Sequence, residues 1–575
     1  SSLLKIDIPD NVTEIESNAF YNCSKLAEVN LPIGLTEINS YIFNGCSDLQ
    51  KINIPDSVSL ISYKAFSGCT NLGEINIPAN VTEIQNSAFD GCNSLTKITV
   101  SKDNNVYTAV EGVIYNKEKT KIVAYPSAKE NITIPNGITA IGGAFSGCSA
   151  LKSIHIPDTV TVIGENAFLN CKNLAEITIP DTVTEISASA FAGCSNLIEI
   201  TIPSEVKRIK SYTFAGCSSL KTVNIADANV IENGAFQDCS NLKEIKLPEQ
   251  LREIKELAFY GCSSLVKIDI PIYVNEISNK VFLDCSNLIQ INVAEENEQY
   301  MSEDGCLYNK EQTVLYVCPE GKTEINIPDT VMYIGDYACY DCSKLVEIKI
   351  PWSVTSIGVS AFSGCEGLTS ISLSENIEYI CDFAFLSCVN LKTINIPSGV
   401  TAIPNWTFME CKSLENVSIA AEQISFGDKA FYGCSSLTGI SFQGEIWRIG
   451  SEVFKGCTNL TFYGKEGSNI SEHAKLERVQ FSAQEIPWTV SSDISVCRIL
   501  LNPESFQYNG KAQTPDVYLE NGKISLEKDT DYTITYKNNI NIGTGQVIIT
   551  GIGNYTGTIT KEFTITGNQD TGITN

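Results

Sequence analysis

The stretch LAEITIPDTVTEISASAFAGCSN, Leu174–Asn196, carries two kinds of order. Ile177, Thr178 and Ile179 alternate apolar, polar, apolar, the pattern of a short strand with both isoleucines inward and the threonine outward. Pro180 has no N–H to donate and ends that strand. Val183–Ile186 reads as a second, shorter extended segment, Phe191 as an aromatic sent into the interior, and Cys194 as a small filler beside it. So short a unit has too little apolar surface to fold alone, so it needs copies of itself on either side.

The copies are present. NAFYNCSKL, AFSGCTNL, AFDGCNSL, AFLNCKNL and AFYGCSSL all place Cys three residues after Phe and three before Leu. Seventeen such cysteines run from Cys23 to Cys457, nearly all at steps of 23 residues. Two steps, Cys92 to Cys148 and Cys285 to Cys342, equal one repeat plus an insertion of about 33 residues, and Cys217 to Cys239 is one residue short. A period in this range with Leu and Ile at fixed offsets predicts a solenoid, here of about 19 stacked coils. The insertions match each other around NKEK and NKEQ, and each is expected to project as a β-hairpin, over Val113–Tyr125 and Cys306–Cys318.

The unit resembles the treponemal-type leucine-rich repeat of the BspA-like bacterial surface proteins, over residues 1–480. The resemblance implies a mainly β fold, a right-handed curved solenoid of short parallel strands, with hairpin insertions near 101–130 and 294–323. LTFYGKEGSNISEHAKLERVQF, near 460–481, resembles the terminal cap of such arrays, with Ser or Asn available as N-cap and acidic residues in the first turn. A linker over 481–495 follows. Residues 496–567 change to short alternating runs with N-G and G-x-G turns, which predict a small β-sandwich; they resemble the immunoglobulin-like modules of secreted bacterial proteins, which implies a spacer or adhesive role. Residues 568–575 are a tail.

Forty basic against 67 acidic residues give a formal charge of -27, which repels nucleic acid and anionic lipid. No run of about 18 apolar residues is present to span a bilayer, so no membrane insertion is expected. The opening SSLLKIDIPD has neither a charged n-region nor an apolar h-region, as expected of a chain that follows a removed targeting segment.

Of 22 cysteines, the seventeen of the column are expected to stay reduced. In-register stacking holds their Cβ atoms parallel and about 4.8 Å apart, whereas a disulfide needs about 3.5–4.5 Å and a torsion near 90°. A line of thiols also cannot close a tetrahedron around zinc. DYACYDCSKL, Asp336–Leu345, holds a C-x-x-C only because Cys339 takes the place of Phe beside the column residue Cys342. Tyr337, Tyr340 or Phe362 is then expected to fill the lost ring's space, or a cavity to remain. Cys306 and Cys318 replace Val113 and Tyr125 of the first insertion together, which marks a candidate cross-strand disulfide; two independent apolar substitutions are the other reading.

Catalysis has little to draw on. The only histidines are His155 and His473, the carboxylates recur with the repeat at outward positions, and no phosphate-binding, dinucleotide, zinc-protease or calcium motif is present. No enzymatic activity, cofactor or metal is expected. Binding is better supported: the outward strand position reads Asn30, Asn53, Asn76, Thr99, His155, Thr178, Thr201, Asn224, Lys246, Asn292, Asn326 and Lys349, a ladder of polar side chains on the expected concave face. Trp352, Trp406 and Trp447 depart from the repeat and are candidate hot spots, and the insertion tyrosines Tyr107, Tyr115, Tyr300, Tyr308 and Tyr316 form a second candidate contact set. The expected function is that of a secreted or cell-surface protein, monomeric, that binds an extracellular protein or glycan in adhesion, or that spaces other domains from the envelope.

Overall fold

The computed structural model describes residues 2–484 and 492–567; residues 485–491 of the expected linker and the tail lie outside the described residues. The chain divides into two compact units, Ser1–Gln299 and Tyr300–Asn575. The fold is mainly β, a parallel-strand solenoid of about 21 turns.

In the first unit most repeats lay a strand on their predecessor, as a rule 23 residues earlier. Lys5–Asp7 pairs in parallel with Glu28–Asn30, Glu74–Ile77 with Lys97–Val100, and Lys267–Ile270 with Gln290–Val293. A second column of two-residue strands, Glu37–Ile38, Leu60–Ile61 and Glu83–Ile84, stacks in the same way. Since the period equals one coil, like sits on like. Phe20 through Phe89 and Phe145 through Phe282 form ring stacks with centroids 5.2–5.9 Å apart. Most column cysteines donate their S–H to the Phe carbonyl of the preceding coil, as Cys46 to Phe20 at 3.1 Å and Cys194 to Phe168 at 3.1 Å; Cys148, after the first insertion, instead reaches Ser127 at 3.8 Å. These thiols are free and, beyond Cys23, buried. Burial pushes Cys46, Cys148 and Cys194 up to about 12.

The turn that carries Phe and Cys reverses by using two left-handed residues per coil, for example Ser189 (φ 55°) and Gly193 (φ 73°). The second position, just before Cys, is where the repeat places Gly, because a side chain there is strained and crowded. At Gly147 (φ +69°) a Cβ would come within 2.6 Å of the Gly91 backbone nitrogen. The coil of Cys148 therefore sits directly on that of Cys92 on the turn side, where Ser146 Oγ also donates to Asp90 at 2.6 Å.

The insertions differ from the expected projecting hairpins. Tyr107–Val110, Val113–Asn116 and Ile122–Ala124 form an antiparallel meander, and Lys121 bridges in parallel to Ala140. In the second unit Tyr300–Glu303, Cys306–Asn309 and Val314–Val317 do the same, and the last strand pairs in parallel with Tyr333–Ile334. The reason is apolar surface: Val113, Ile114 and Tyr115 are all buried, as are Cys306, Leu307 and Tyr308, and a projecting hairpin would leave both faces wet. Each insertion thus lays strands into the stack. A buried asparagine seats the first: Asn104 Nδ2 donates to the Pro78 and Val81 carbonyls at 2.9 Å, and its Oδ1 accepts from the backbone N–H groups of Val106 and Tyr107. Asn297 makes the same two bonds to Pro271 and Val274.

In the second unit the phenylalanine stack runs from Phe362 to Phe454. The helix Ile470–Glu477 lies between the parallel strands Thr461–Tyr463 and Gln480–Ser482. Its N-cap, Asn469, makes no side-chain capping bond; its amide instead bonds both backbone groups of Ile446 and ties the helix to the preceding coil. Residues 492–567 hold two small, mainly antiparallel sheets, Arg498–Asn502 with Asp516–Asn521, and Tyr532–Lys537, Gly543–Gly551 and Thr558–Thr566, and a short parallel pair, Ser492–Asp493 with Tyr555–Thr556. Leu519 from the first and Val547, Ile549, Phe563 and Ile565 from the second share one buried cluster.

Candidate functional site

The polar ladder is built by register. In the first unit the strand pairs align Asp7 with Asn30, Asn76 with Thr99, Thr201 with Asn224, and Asp269 with Asn292. These neighbours hydrogen-bond each other: Asn30 Nδ2 donates to Asp7, Thr99 Oγ1 to Asn76 at 2.9 Å, Asn224 Nδ2 to Thr201 at 3.3 Å, and Asn292 Nδ2 to Asp269 at 2.6 Å. The face is thereby pre-organised, and part of its bonding capacity is already used. Asn53 is exposed on the same face. Thr178 is also exposed, although the expected strand over Ile177–Ile179 does not form. His155 aligns with Thr133 and not with Thr99, because the strand Asn131–Thr133, which follows the insertion, comes between. Thr133 is a ladder residue that the repeat alignment missed; the NITIP that holds it was the available signal.

The ladder narrows at Lys246 to a single bridge, Asn224 to Lys246. This place adjoins the coil that is one residue short between its strands Thr222–Ile225 and Val230–Ile231. A groove of about 650 Å³ opens there. Asn224, Lys246, Asp269 and Asn292 supply its polar wall, Leu247 and Val293 its apolar one. Lys221 and Lys267 flank it together with Glu244 and Glu249, so it offers donors, acceptors and both charge signs within one open cleft. Three of the sequence-derived candidates, Asn224, Lys246 and Asn292, are brought together here.

In the second unit Asn326 is exposed, but outside a named strand. Lys349 and Trp352 are both engaged by the C-terminal sheets. Lys349 Nζ lies 3.1 Å from Asp493, and the Arg498 guanidinium sits 5.2 Å from the Trp352 ring centre. The backbone N–H of Glu375 donates to buried Asn521 at 3.0 Å, and Gly522 packs so closely on Glu375 that a Cβ would come within 2.7 Å. Burial pushes Asp493 up, but hydrogen bonds from Ser495 and Lys349 outweigh it and hold the carboxyl below its usual range. The C-terminal sheets therefore contact this part of the array.

The tryptophans are not one site. Trp406 (φ 55°) stacks face to face on Phe383 at 4.7 Å on the turn side, and is half-buried. Trp447 is on the second strand column, in Glu445–Ile449, where a bulge opposite Gln423–Phe426 throws it outward. At 79% exposure it is the most exposed large apolar side chain among the described residues. The tyrosine set is also corrected: Tyr107, Tyr115 and Tyr308 are buried, because the meanders are inside the stack, and Tyr300 and Tyr316 pack edge to face on each other at 5.8 Å. The candidate disulfide partners Cys306 and Cys318 are both free and buried. Among the described residues no group of three or more His, Cys, Asp or Glu is arranged to hold a metal ion, and no helix is long and apolar enough to cross a membrane.

No curated protein matches the sequence. Similar solved structures include a leucine-rich cell surface protein of Faecalibacterium prausnitzii, 24% identical, TM-score 0.39, covering 84% of this chain and 88% of its own. The pneumococcal vaccine antigen PcpA is 20% identical with TM-score 0.45, over 68% of this chain and 100% of its own. A leucine-rich-repeat protein of Bacteroides ovatus is 24% identical with TM-score 0.37, over 83% of this chain and 91% of its own. The model of the BspA type leucine-rich repeat region matches residues 1–119, 124–230, 226–327 and 332–461. The 23-residue coil, its phenylalanine and cysteine columns and this match over most of the array agree, and the chain belongs to the BspA-type leucine-rich-repeat family.

Proposed function

We propose that the chain is a secreted or cell-surface binding protein, not an enzyme, that holds an extended extracellular protein or glycan along its first strand column, as in adhesion. The observation that carries this reading is the groove at Lys246, where polar side chains, several fixed by their neighbours, and charges of both signs meet an apolar wall. An extended polar chain suits such a cleft, because each residue of the chain meets one coil and many weak hydrogen bonds add up. Family membership supports a scaffold that binds other macromolecules. The two sheets of 492–567 are read as the expected immunoglobulin-like module, a β-sandwich that ends the array.

The test is a screen of the whole chain on glycan and extracellular-protein arrays, followed by Lys246→Glu and Trp447→Ala. Binding that falls at least about tenfold with Lys246→Glu, roughly 1.4 kcal/mol, and holds with Trp447→Ala supports the groove. The reverse pattern moves the site to the second column and overturns it. A screen with no hit favours a spacer.

A further inference from the structure

Both insertions interrupt the thiol column, and at the second one four cysteines gather where the first has only Cys148. Cys306, Cys318, Cys339 and Cys342 are all buried, at 0–3% exposure, within one apolar cluster. Cys318 lies within hydrogen-bonding reach of the thiols of Cys306, Cys339 and Cys342. The regular acceptor pattern is weakened here: Cys342 donates to the Cys318 carbonyl at 3.5 Å and Cys318 only to that of Pro319 at 3.9 Å, against 3.0–3.3 Å in the later coils. Two aromatic rings are missing, since Cys339 stands where other coils have Phe and Cys318 where the first insertion has Tyr125. Tyr337 and Tyr340 do not fill the gap; both stay half-buried and pack on each other at 5.7 Å. Sulfur occupies the space instead. Independently, the hydroxyl of fully buried Tyr308, beside these thiols, has no hydrogen-bond partner. An orphaned buried hydroxyl is destabilising, so this coil gains most from an added restraint.

Register selects the pair. Leu307 aligns with Val317 on antiparallel strands, which sets Cys306 directly opposite Cys318. The backbone N–H of Cys318 donates to the Ala338 carbonyl at 2.6 Å, so the strand end is fixed on the next coil.

We propose that Cys306 and Cys318 are a disulfide-forming site, oxidised while the coil is still open, with Cys339 and Cys342 packed against the bond as reduced thiols. The oxidant is a disulfide, of the oxidoreductase or small-molecule class. The Cys306 thiolate attacks one of its sulfurs and displaces the other as a thiolate; the Cys318 thiolate then attacks the Cys306 sulfur of the mixed disulfide and releases the second. The chain loses two electrons and two protons, and the oxidant's S–S bond becomes two thiols. Burial then seals the bond from exchange.

The test is to refold the whole chain in a mixture of reduced and oxidised glutathione, alkylate under denaturing conditions and map the peptides without reduction. The expected result is one linkage, Cys306 to Cys318, every other cysteine alkylated, and a thermal midpoint that drops when reductant is present during refolding. In the double variant Cys306→Val, Cys318→Tyr, which carries the first insertion's residues, that drop should vanish while the fold persists. Alkylation of all four thiols, or a link joining any other pair, overturns the proposal.

Discussion

Raising the pH of the reduced protein to about 10 should destabilise the N-terminal unit, and the thiol column sets the size of the effect. Cys194 is fully buried, and loss of water around its sulfur pushes it from 9.0 to about 12. The unfolded thiol ionises near 9 while the folded one stays protonated, so above 9 the unfolded state holds fewer protons. Its stabilisation is thus intact below pH 9 and is lost as pH rises through 12. At pH 10 the loss is about 1.4 kcal/mol for one such thiol. Nine thiols of this unit are raised, from Cys46 to Cys262. All are shifted in the same direction, so their losses work together against the roughly 5–15 kcal/mol that holds a typical domain folded. The assay is the urea midpoint by far-ultraviolet circular dichroism, with reductant present, across this pH range. Cys194→Ala should remove one thiol's share of the pH dependence, about 1.4 kcal/mol at pH 10. A midpoint that stays level from about pH 8 to 10, or a variant whose pH dependence equals that of the parent, would refute the reasoning.

Phe214→Ala removes one ring from a stack with neighbours at 5.5 Å on either side and should cost about 3–5 kcal/mol in urea unfolding. Gly147→Ala places a Cβ against the Gly91 backbone in a left-handed residue; a loss of about 1–3 kcal/mol and faster hydrogen exchange over residues 90–93 are expected. Asn104→Ala leaves the Pro78 and Val81 carbonyls and two backbone N–H groups without their partner, and should loosen the first insertion, read as proteolysis within 101–130 and a stability loss of about 2–4 kcal/mol.

Periodicity made the array legible. A residue that recurs every 23 positions must meet its own copy, so the phenylalanine and cysteine columns could be read from one coil. The insertions occur only twice and could not be read that way. Their NKEK turns look like hairpin tips, and only the parallel pairing of the third strand, a contact with a later coil, places them in the stack. Asn104 and Asn297 were a usable signal, the same polar residue at the start of both. Trp447 was visible as a departure from the repeat, but its direction depends on a bulge relative to Gln423–Phe426. The engagement of Lys349 and Trp352 was not legible, since Asp493 and Arg498 are over a hundred residues away and belong to no repeat.

The junction at Gly147 has an evolutionary consequence. Because the coils of Cys92 and Cys148 already touch on the turn side, the meander between them enters from the sheet side, and its Tyr125 supplies the ring that meets Phe145 at 4.9 Å. The scaffold can therefore be edited by segment: extra strands enter on the sheet side without renumbering the turns. A lineage can alter what the array displays while keeping the spine that folds it.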